Sequence, residues 1–209
     1  MNGGSTIILA LLLPLGGAVA IALAGRISAN LRETVTLATA GGLAMTVWSL
    51  LPAVMAGERP GVSITELLPG VEIAFSVEPL GMLFAALASG LWIINSLYSI
   101  GYMRGNNERN QTRFYVMFAV SLAATMGVAF AGNLFTLFLF YEALTLSTYP
   151  LVSHKGDAAT VRSARVYLGI LLTTSIGLFL PAIIWTYSVA GTGDFVTGGI
   201  LASKINGPA

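Results

Sequence analysis

Six long apolar stretches restrict the folds that this chain can adopt. Each of them is long enough to cross a bilayer as a helix, which takes about 17 to 25 residues. The chain is 56% hydrophobic and only 9% charged, whereas about 25% of the residues of a soluble domain are charged. The sequence therefore predicts an all-α integral membrane protein, a single membrane domain over residues 1–209, with helices at about 6–24, 35–56, 80–103, 114–131, 133–152 and 166–190.

The composition excludes several classes of site. The net charge of +1 comes from dispersed basic residues, which is not the clustered charge of a nucleic-acid-binding surface. The chain has no cysteine and one histidine, which excludes disulfides, thiolate-bound clusters and haem sites with a histidine pair. We therefore expect no cofactor, no metal site and no catalytic centre in this chain, and we expect any redox chemistry to belong to partner subunits.

The basic residues predict an orientation in the membrane. Eight of the ten lie in the connections after the first, third and fifth stretches. Cytoplasmic loops carry an excess of Lys and Arg, so both chain termini are expected outside. The eight are Arg26, Arg32, Arg104, Arg109, Arg113, Lys155, Arg162 and Arg165; Arg59 and Lys204 fall on the other side.

The outer connection at residues 57–79 differs from the other loops. After Pro69 and Gly70, the segment VEIAFSVE alternates apolar and polar residues, a period of two that is typical of a strand. This pattern predicts a small outer hairpin lying on the helices, with an irregular acidic loop as the alternative. The tail after residue 190, GTGDFVTGGILASKINGPA, contains no seventh span, and the part at 195–201 is expected to lie at the interface or to remain loose.

Gly132 alone separates the fourth and fifth stretches, which predicts a tight helical hairpin. Asn133 is a suitable cap for the fifth helix, and Pro150 marks or kinks its other end. This helix, NLFTLFLFYEALTLSTYPLV, carries one carboxylate, Glu142, near its middle. The carboxylate lies about 14 Å from either end of the helix, and a charge at that depth costs about 2.5 to 3.5 kcal/mol on insertion scales. An acid in this position is a functional candidate.

The surroundings of Glu142 on its own helix are asymmetric. Thr145 and Tyr149 lie on the same helical face toward the cytoplasm, with further hydroxyls nearby at Ser147, Thr148 and Ser153. Toward the outside the face carries Phe and Leu. The pattern predicts that Glu142 exchanges protons with the cytoplasm more readily than with the outside. The alternative is a protonated, structural glutamate that is hydrogen-bonded across a helix interface.

A carboxyl group between an apolar surrounding and a nearby cation can gain and lose a proton, because these two influences oppose each other. The six stretches contain no Lys, Arg or His, so the cation must come from another chain or from further sequence. His154, just beyond the fifth helix, is a candidate for passing protons between water and the bilayer, or it is an ordinary interfacial residue. Lys155 next to it is an accessory candidate and a determinant of topology.

The residues around Glu142 resemble a known family. The segment GNLFTLFLFYEALTLSTYPLVSHKG is similar to the fifth-helix signature of the antiporter-like subunits shared by respiratory complex I, Mrp-type multi-subunit cation/proton antiporters and membrane-bound hydrogenases. YSIGYM, NQTRFYVMF and HKGDAATVRSARVYLGILL match the same family in the same order, over about residues 77–172. Within the family, FYEALTLSTYPLV looks most like the D-type subunit of the Mrp antiporters.

The resemblance implies a role for Glu142 as one half of a proton-handling pair, whose partner is a lysine on the seventh helix. It also implies about fourteen helices with two inverted five-helix repeats, of which this chain holds only the first three helices of the first repeat. We therefore expect either an N-terminal fragment of a longer subunit or one piece of a split subunit that is completed by a neighbour.

The implied partners are other membrane subunits of a hetero-oligomeric complex, the lipid bilayer of the inner (cytoplasmic) membrane, protons and, in an antiporter, a monovalent cation. Three functions follow from these expectations. The first is a proton-translocating antiporter subunit with Glu142 as its relay carboxylate. The second is a proton-pumping subunit of a complex I-like NADH-quinone oxidoreductase or a membrane-bound hydrogenase. The third is a scaffold subunit that does not transport.

Overall fold

The computed structural model describes residues 2–68 and 70–202, and over these ranges the chain is mostly helical. Six segments are long and apolar enough to span a membrane, which confirms the predicted class and the six spans. The elements in chain order are α1 (Gly3–Ala24), α2 (Ala29–Trp48), α3 (Leu51–Met55), β1 (Gly61–Leu68), β2 (Val71–Ser76), α4 (Pro79–Gly105), α5 (Gln111–Ala129), α6 (Leu134–Val152), α7 (Ala158–Thr174), a π-helical turn (Ser175–Phe179) and α8 (Leu180–Ala190).

The second span begins earlier than its apolar stretch predicts. The Ser28 side chain accepts a hydrogen bond from the Leu31 backbone N–H at 3.1 Å, and this cap starts α2 at Ala29 rather than at residue 35. Arg32 consequently lies in the first turns of a helix, and not in the connecting loop. The prediction was wrong here because hydropathy marks where apolar residues begin, whereas a helix begins at its cap.

The sixth span also begins earlier than predicted, and it is not a single α-helix because the π-helical turn at Ser175–Phe179 interrupts it. Asp157 accepts a hydrogen bond from the Thr160 N–H at 2.8 Å and caps α7, which starts at Ala158 rather than at residue 166. Arg162 and Arg165 therefore lie on the helix. In the described residues, the middle parts of the six spans thus contain no Lys, Arg or His, as predicted, whereas the end turns of several helices carry arginines.

The helices α1, α2, α4 and α5 form the main bundle, and α6 packs along α5. The α7–α8 segment packs at the edge of the bundle through α6. Small residues permit the closest approaches: a side chain at Gly81 would overlap the Ala129 carbonyl, and one at Gly127 would overlap the Phe140 ring. The largest side chains of the buried core are those of Trp92, Tyr115, Phe130, Ile7, Ile21, Leu43, Met82 and Met126.

A small sheet covers one end of the bundle, which we call the sheet end. β1 and β2 pair antiparallel, which confirms the predicted hairpin. Pro69 and Lys204 lie outside the described residues. The α5–α6 turn extends the sheet, because the Gly132 N–H donates to the Ala74 carbonyl at 2.9 Å. The tail joins on the other side, where the Phe195 N–H donates to the Gly132 carbonyl at 3.1 Å. The opposite end of the bundle carries most of the arginines, and we call it the basic end.

Asn133 fixes the α5–α6 turn and is fully buried. Its Oδ1 accepts from the Thr136 N–H at 2.8 Å, which confirms the predicted cap of α6, and its Nδ2 donates to the Glu72 carbonyl at 2.9 Å. One side chain thus holds α6 to β2. The helix continues through Pro150 to Val152, so the proline lies inside its last turn.

Replacing Asn133 by Ala should therefore destabilise the subunit by about 1 to 3 kcal/mol, because the cap is lost and buried backbone groups are left unpaired. The measurement is thermal unfolding of the purified subunit in detergent. Asn106→Ala is the matched control, since Asn106 is exposed at the end of α4. Equal unfolding temperatures for the two variants would contradict the role of this side chain.

Candidate functional site

The position of Glu142 follows from the two faces of α6. Phe140 contacts α5 at Gly127, and the hydroxyls of Ser147 and Ser121 of α5 lie 2.9 Å apart. Glu142 is two residues beyond Phe140, which is about 200° around a helix. The carboxylate therefore lies on the face of α6 that is turned away from α5.

The Oε1 atom of Glu142 is buried, and no group in the described part of the chain forms a hydrogen bond with it. The residue as a whole is half-buried. An oxygen of this kind is costly without a partner, because a buried acceptor has lost its water. Within the described part of the chain, Glu142 thus lacks the hydrogen bond that would compensate for the burial of its Oε1 atom.

The predicted hydroxyl residues lie on the same face as Glu142, toward the basic end. Thr145 is buried and Tyr149 is half-buried. Nearby hydroxyls bond to their own helix: Thr148 donates to the Thr145 carbonyl at 2.9 Å, and Ser153 donates to the Tyr149 carbonyl at 2.9 Å. These oxygens remain available as acceptors. Ser147 lies on the other face of α6, against Ser121 of α5.

His154 follows the end of α6 and turns toward α5. Its ring packs edge-on against Phe114, with centroids 5.6 Å apart, and the Arg113 Nη2 donates to the His154 carbonyl at 3.0 Å. Neither ring nitrogen has a hydrogen-bond partner among the described residues, and both are buried. Burial lowers the pKa of His154, Arg113 lowers it further, and Glu108 raises it. Lys155 is exposed. His154 thus lies on the side of α6 that faces α5, whereas Glu142 lies on the opposite side of α6.

A lowered pKa of His154 predicts that the folded subunit loses stability in acid. The unfolded chain binds the proton more readily than the folded chain, so protonation of His154 favours unfolding. The stability that the neutral ring gives is present above the unfolded pKa of about 6.5 and is lost as the pH falls through the folded pKa. His154→Phe should weaken the pH dependence of thermal unfolding in detergent between about pH 5 and pH 8. Lys155→Gln, at the exposed neighbour, should leave it unchanged. An identical pH profile in His154→Phe would contradict this account.

Phe179 of the π-helical turn lies against the same side of α6 as Glu142. Its ring centroid is 5.9 Å from that of Phe138 and 6.1 Å from that of Tyr141, and both pairs are edge-on. Phe138 precedes Glu142 by one helical turn and Tyr141 is its chain neighbour. A cleft of about 410 Å³ adjoins these rings and is lined by Tyr141, Thr174, Ser175, Leu178 and Phe179.

Sequence reasoning missed an ion-pair cluster at the basic end. Arg32 and Glu33 on α2 are only 6% and 5% exposed. Arg104 of α4 binds Glu33 with both arms of its guanidinium, Nε to Oε1 at 3.0 Å and Nη2 to Oε2 at 2.5 Å. Arg32 Nη2 donates to the same carboxylate at 3.1 Å. A signal was present, because Glu33 is an acid beside one of the basic residues that were read only as topology determinants.

The cluster continues from Arg32 to the first turn of α5. Arg32 donates to the Gln111 Oε1 at 2.8 Å and to the Thr112 hydroxyl at 3.3 Å. Its guanidinium also lies 5.0 Å from the centre of the Tyr115 ring, within the range of a cation–π contact. The buried charges therefore join α2, α4 and α5 in one network.

Comparison with known proteins agrees with this fold. Residues 131–202 match the family described as NADH:quinone oxidoreductase/Mrp antiporter, TM. The match includes the whole of α6, with Glu142, and the α7–α8 segment.

Two curated relatives show the same relationship. The chain is 27% identical over 186 residues to NADH-quinone oxidoreductase subunit N of Desulforudis audaxviator, covering 88% of this chain and 37% of the relative. It is 33% identical over 98 residues to Na(+)/H(+) antiporter subunit A1 of Staphylococcus aureus, covering 47% of this chain and 12% of the relative. The chain thus spans well under half the length of either relative.

Two solved structures share the fold. The archaeal membrane-bound sulfane sulfur reductase, a respiratory membrane complex, superposes with a TM-score of 0.75 at 17% identity over 90% of this chain and 38% of that chain. The Mrp complex from Dietzia sp. DQ12-45-1b superposes with a TM-score of 0.76 at 25% identity over 90% of this chain and 20% of that chain.

Proposed function

Because this chain is an antiporter-like membrane subunit related to those of Mrp antiporters and of complex I, we propose that Glu142 is its intramembrane proton-relay carboxylate. The observation that carries the proposal is the buried Oε1 of Glu142, which has no hydrogen-bond partner in the described part of the chain. The multi-pass subunit then works in a multi-subunit cation/proton antiporter of the cytoplasmic membrane. Transport by the complex with Glu142→Gln tests the proposal.

The relay works through a change in the charge near Glu142. A cation close to the carboxylate stabilises its ionised form, and moving that cation away favours proton uptake. We assign the cation to a lysine-bearing helix outside residues 1–209, either in the same subunit or in a neighbour. The proton reaches Glu142 from the basic end, which we take as cytoplasmic, along the face that carries Thr145 and Tyr149.

His154 and Lys155 are accessory groups at the entrance of this path. His154 has a lowered pKa, so it releases a proton readily at neutral pH. Lys155 is exposed beside it and adds positive charge to that end. Because the His154 ring packs on the α5 side of α6, transfer from it to the Glu142 face requires intervening water.

A redox-driven complex is the second candidate. It is favoured by the similarity over 88% of this chain to subunit N of a NADH-quinone oxidoreductase. In such a complex Glu142 has the same chemical role, but the energy comes from electron transfer in partner subunits rather than from a cation gradient. Proton uptake that depends on added monovalent cation supports the antiporter, and uptake that depends on an electron donor supports the redox complex. The expected likeness to the D-type Mrp subunit remains a proposal within the first candidate.

A further inference from the structure

The ring cluster of Phe138, Tyr141 and Phe179 lies beside Glu142 on one side only. Phe138 and Tyr141 precede Glu142 by four residues and one residue, which is about 6 Å and 1.5 Å nearer to the sheet end. Phe179 contacts both rings. This cluster of aromatic rings therefore lies between Glu142 and the sheet end.

The polar residues of the same region lie on the other side of the rings. The α7–α8 segment runs from the basic end to the sheet end, so Thr174 and Ser175, four to five residues before Phe179, lie nearer to the basic end. Both line the cleft beside Tyr141. The hydroxyls of Thr174 and Ser175 thus lie on the side of the rings that is nearer to the basic end.

The π-helical turn determines where Phe179 points. Pro181 has no N–H to donate and its ring clashes with the carbonyl four residues earlier, and the widened turn occurs directly before it. The Leu180 N–H donates to the carbonyl of Ser175, five residues back, which is the π pattern. The Ser175 hydroxyl donates to the Leu171 and Leu172 carbonyls at 3.0 and 3.2 Å, which stabilises the start of the turn.

We infer that Phe179, held against Phe138 and Tyr141 by this turn, is a water-excluding plug on the sheet side of Glu142. An apolar constriction blocks water and therefore protons. The plug prevents a proton on Glu142 from leaking through the subunit toward the sheet end, so that exchange occurs only from the basic end. This inference rests on the proposed function, in which Glu142 binds the proton that the plug retains.

The test is passive proton leak in vesicles that contain the complete complex, measured with a pH-sensitive dye under an imposed membrane potential and without the driving cation or electron donor. Phe179→Ala should raise the leak severalfold. Phe179→Trp should restore a low leak, because it refills the space with an aromatic ring. Ile176→Ala is the matched control, since Ile176 is on the same turn and 52% exposed.

The double variant Phe179→Ala/Glu142→Gln identifies the route. A leak that returns to the parent level in the double variant supports a path through Glu142. A leak in Phe179→Ala no larger than in Ile176→Ala, or one that persists in the double variant, overturns the inference. Failure of the proposed function has a separate readout, because it would show as unaltered driven transport in Glu142→Gln alone.

Discussion

Replacing Glu142 by Gln is expected to reduce proton-coupled transport to the level of vesicles that lack the complex. Gln has nearly the shape of a neutral Glu, but it cannot bind and release a proton, so the relay stops while packing is kept. The measurement is dye-reported proton movement across inverted membrane vesicles, driven by a cation gradient or by an electron donor. Co-purification of the partner subunits shows whether the complex still assembles.

Glu58→Gln is the matched control for this experiment, because Glu58 is an exposed glutamate at the sheet end. It should transport like the parent. Unaltered transport in Glu142→Gln would refute the relay and favour a scaffold subunit, in which Glu142 is only a neutral hydrogen-bonding group. Loss of transport together with loss of assembly would point to the same structural role.

Replacing Glu33 by Ala is expected to destabilise the subunit strongly, by about 3 to 5 kcal/mol, because it leaves a buried arginine without its counter-charge. We expect a loss of stability in the lower part of this range, because the Arg104 side chain is 47% exposed and can turn toward water. The Arg32 side chain is 7% exposed and has no such route. Thermal unfolding of the purified subunit measures the effect, with Glu58→Ala as the exposed control.

A second variant separates the charge from the packing in this cluster. Replacing all three ionised side chains together by apolar residues of similar size, Arg32→Met, Glu33→Leu and Arg104→Met, should restore much of the lost stability, because no buried charge is then left unpaired. If Glu33→Ala unfolds at the temperature of its control, the cluster does not hold the helices together. If the triple variant is less stable than Glu33→Ala, the three charged side chains also stabilise the subunit through contacts other than their ion pairs with one another.

Local patterns in the sequence were sufficient for the six spans, for the hairpin and for the carboxylate near the middle of α6. Apolar length determined the six spans, alternation determined the hairpin, and Asn133 was recognisable as a cap because its partner Thr136 is three residues away. The position of Glu142 near the middle of α6 followed from residue spacing alone. The starts of α2 and α7 were placed too late, since caps at Ser28 and Asp157 precede the apolar residues.

The sequence by itself determined how many membrane-length spans the chain forms, what lies in the middle of α6 and which residues share its face, because these depend on apolar length and on spacings of a few residues. Only the tertiary structure decided which faces meet. It pairs Glu33 with Arg104, 71 positions away, turns His154 toward α5, and brings Phe179 against Phe138 beside Glu142. These contacts depend on how helices distant in sequence pack, and apolar residues around the whole circumference of a membrane helix do not reveal which side faces a neighbour.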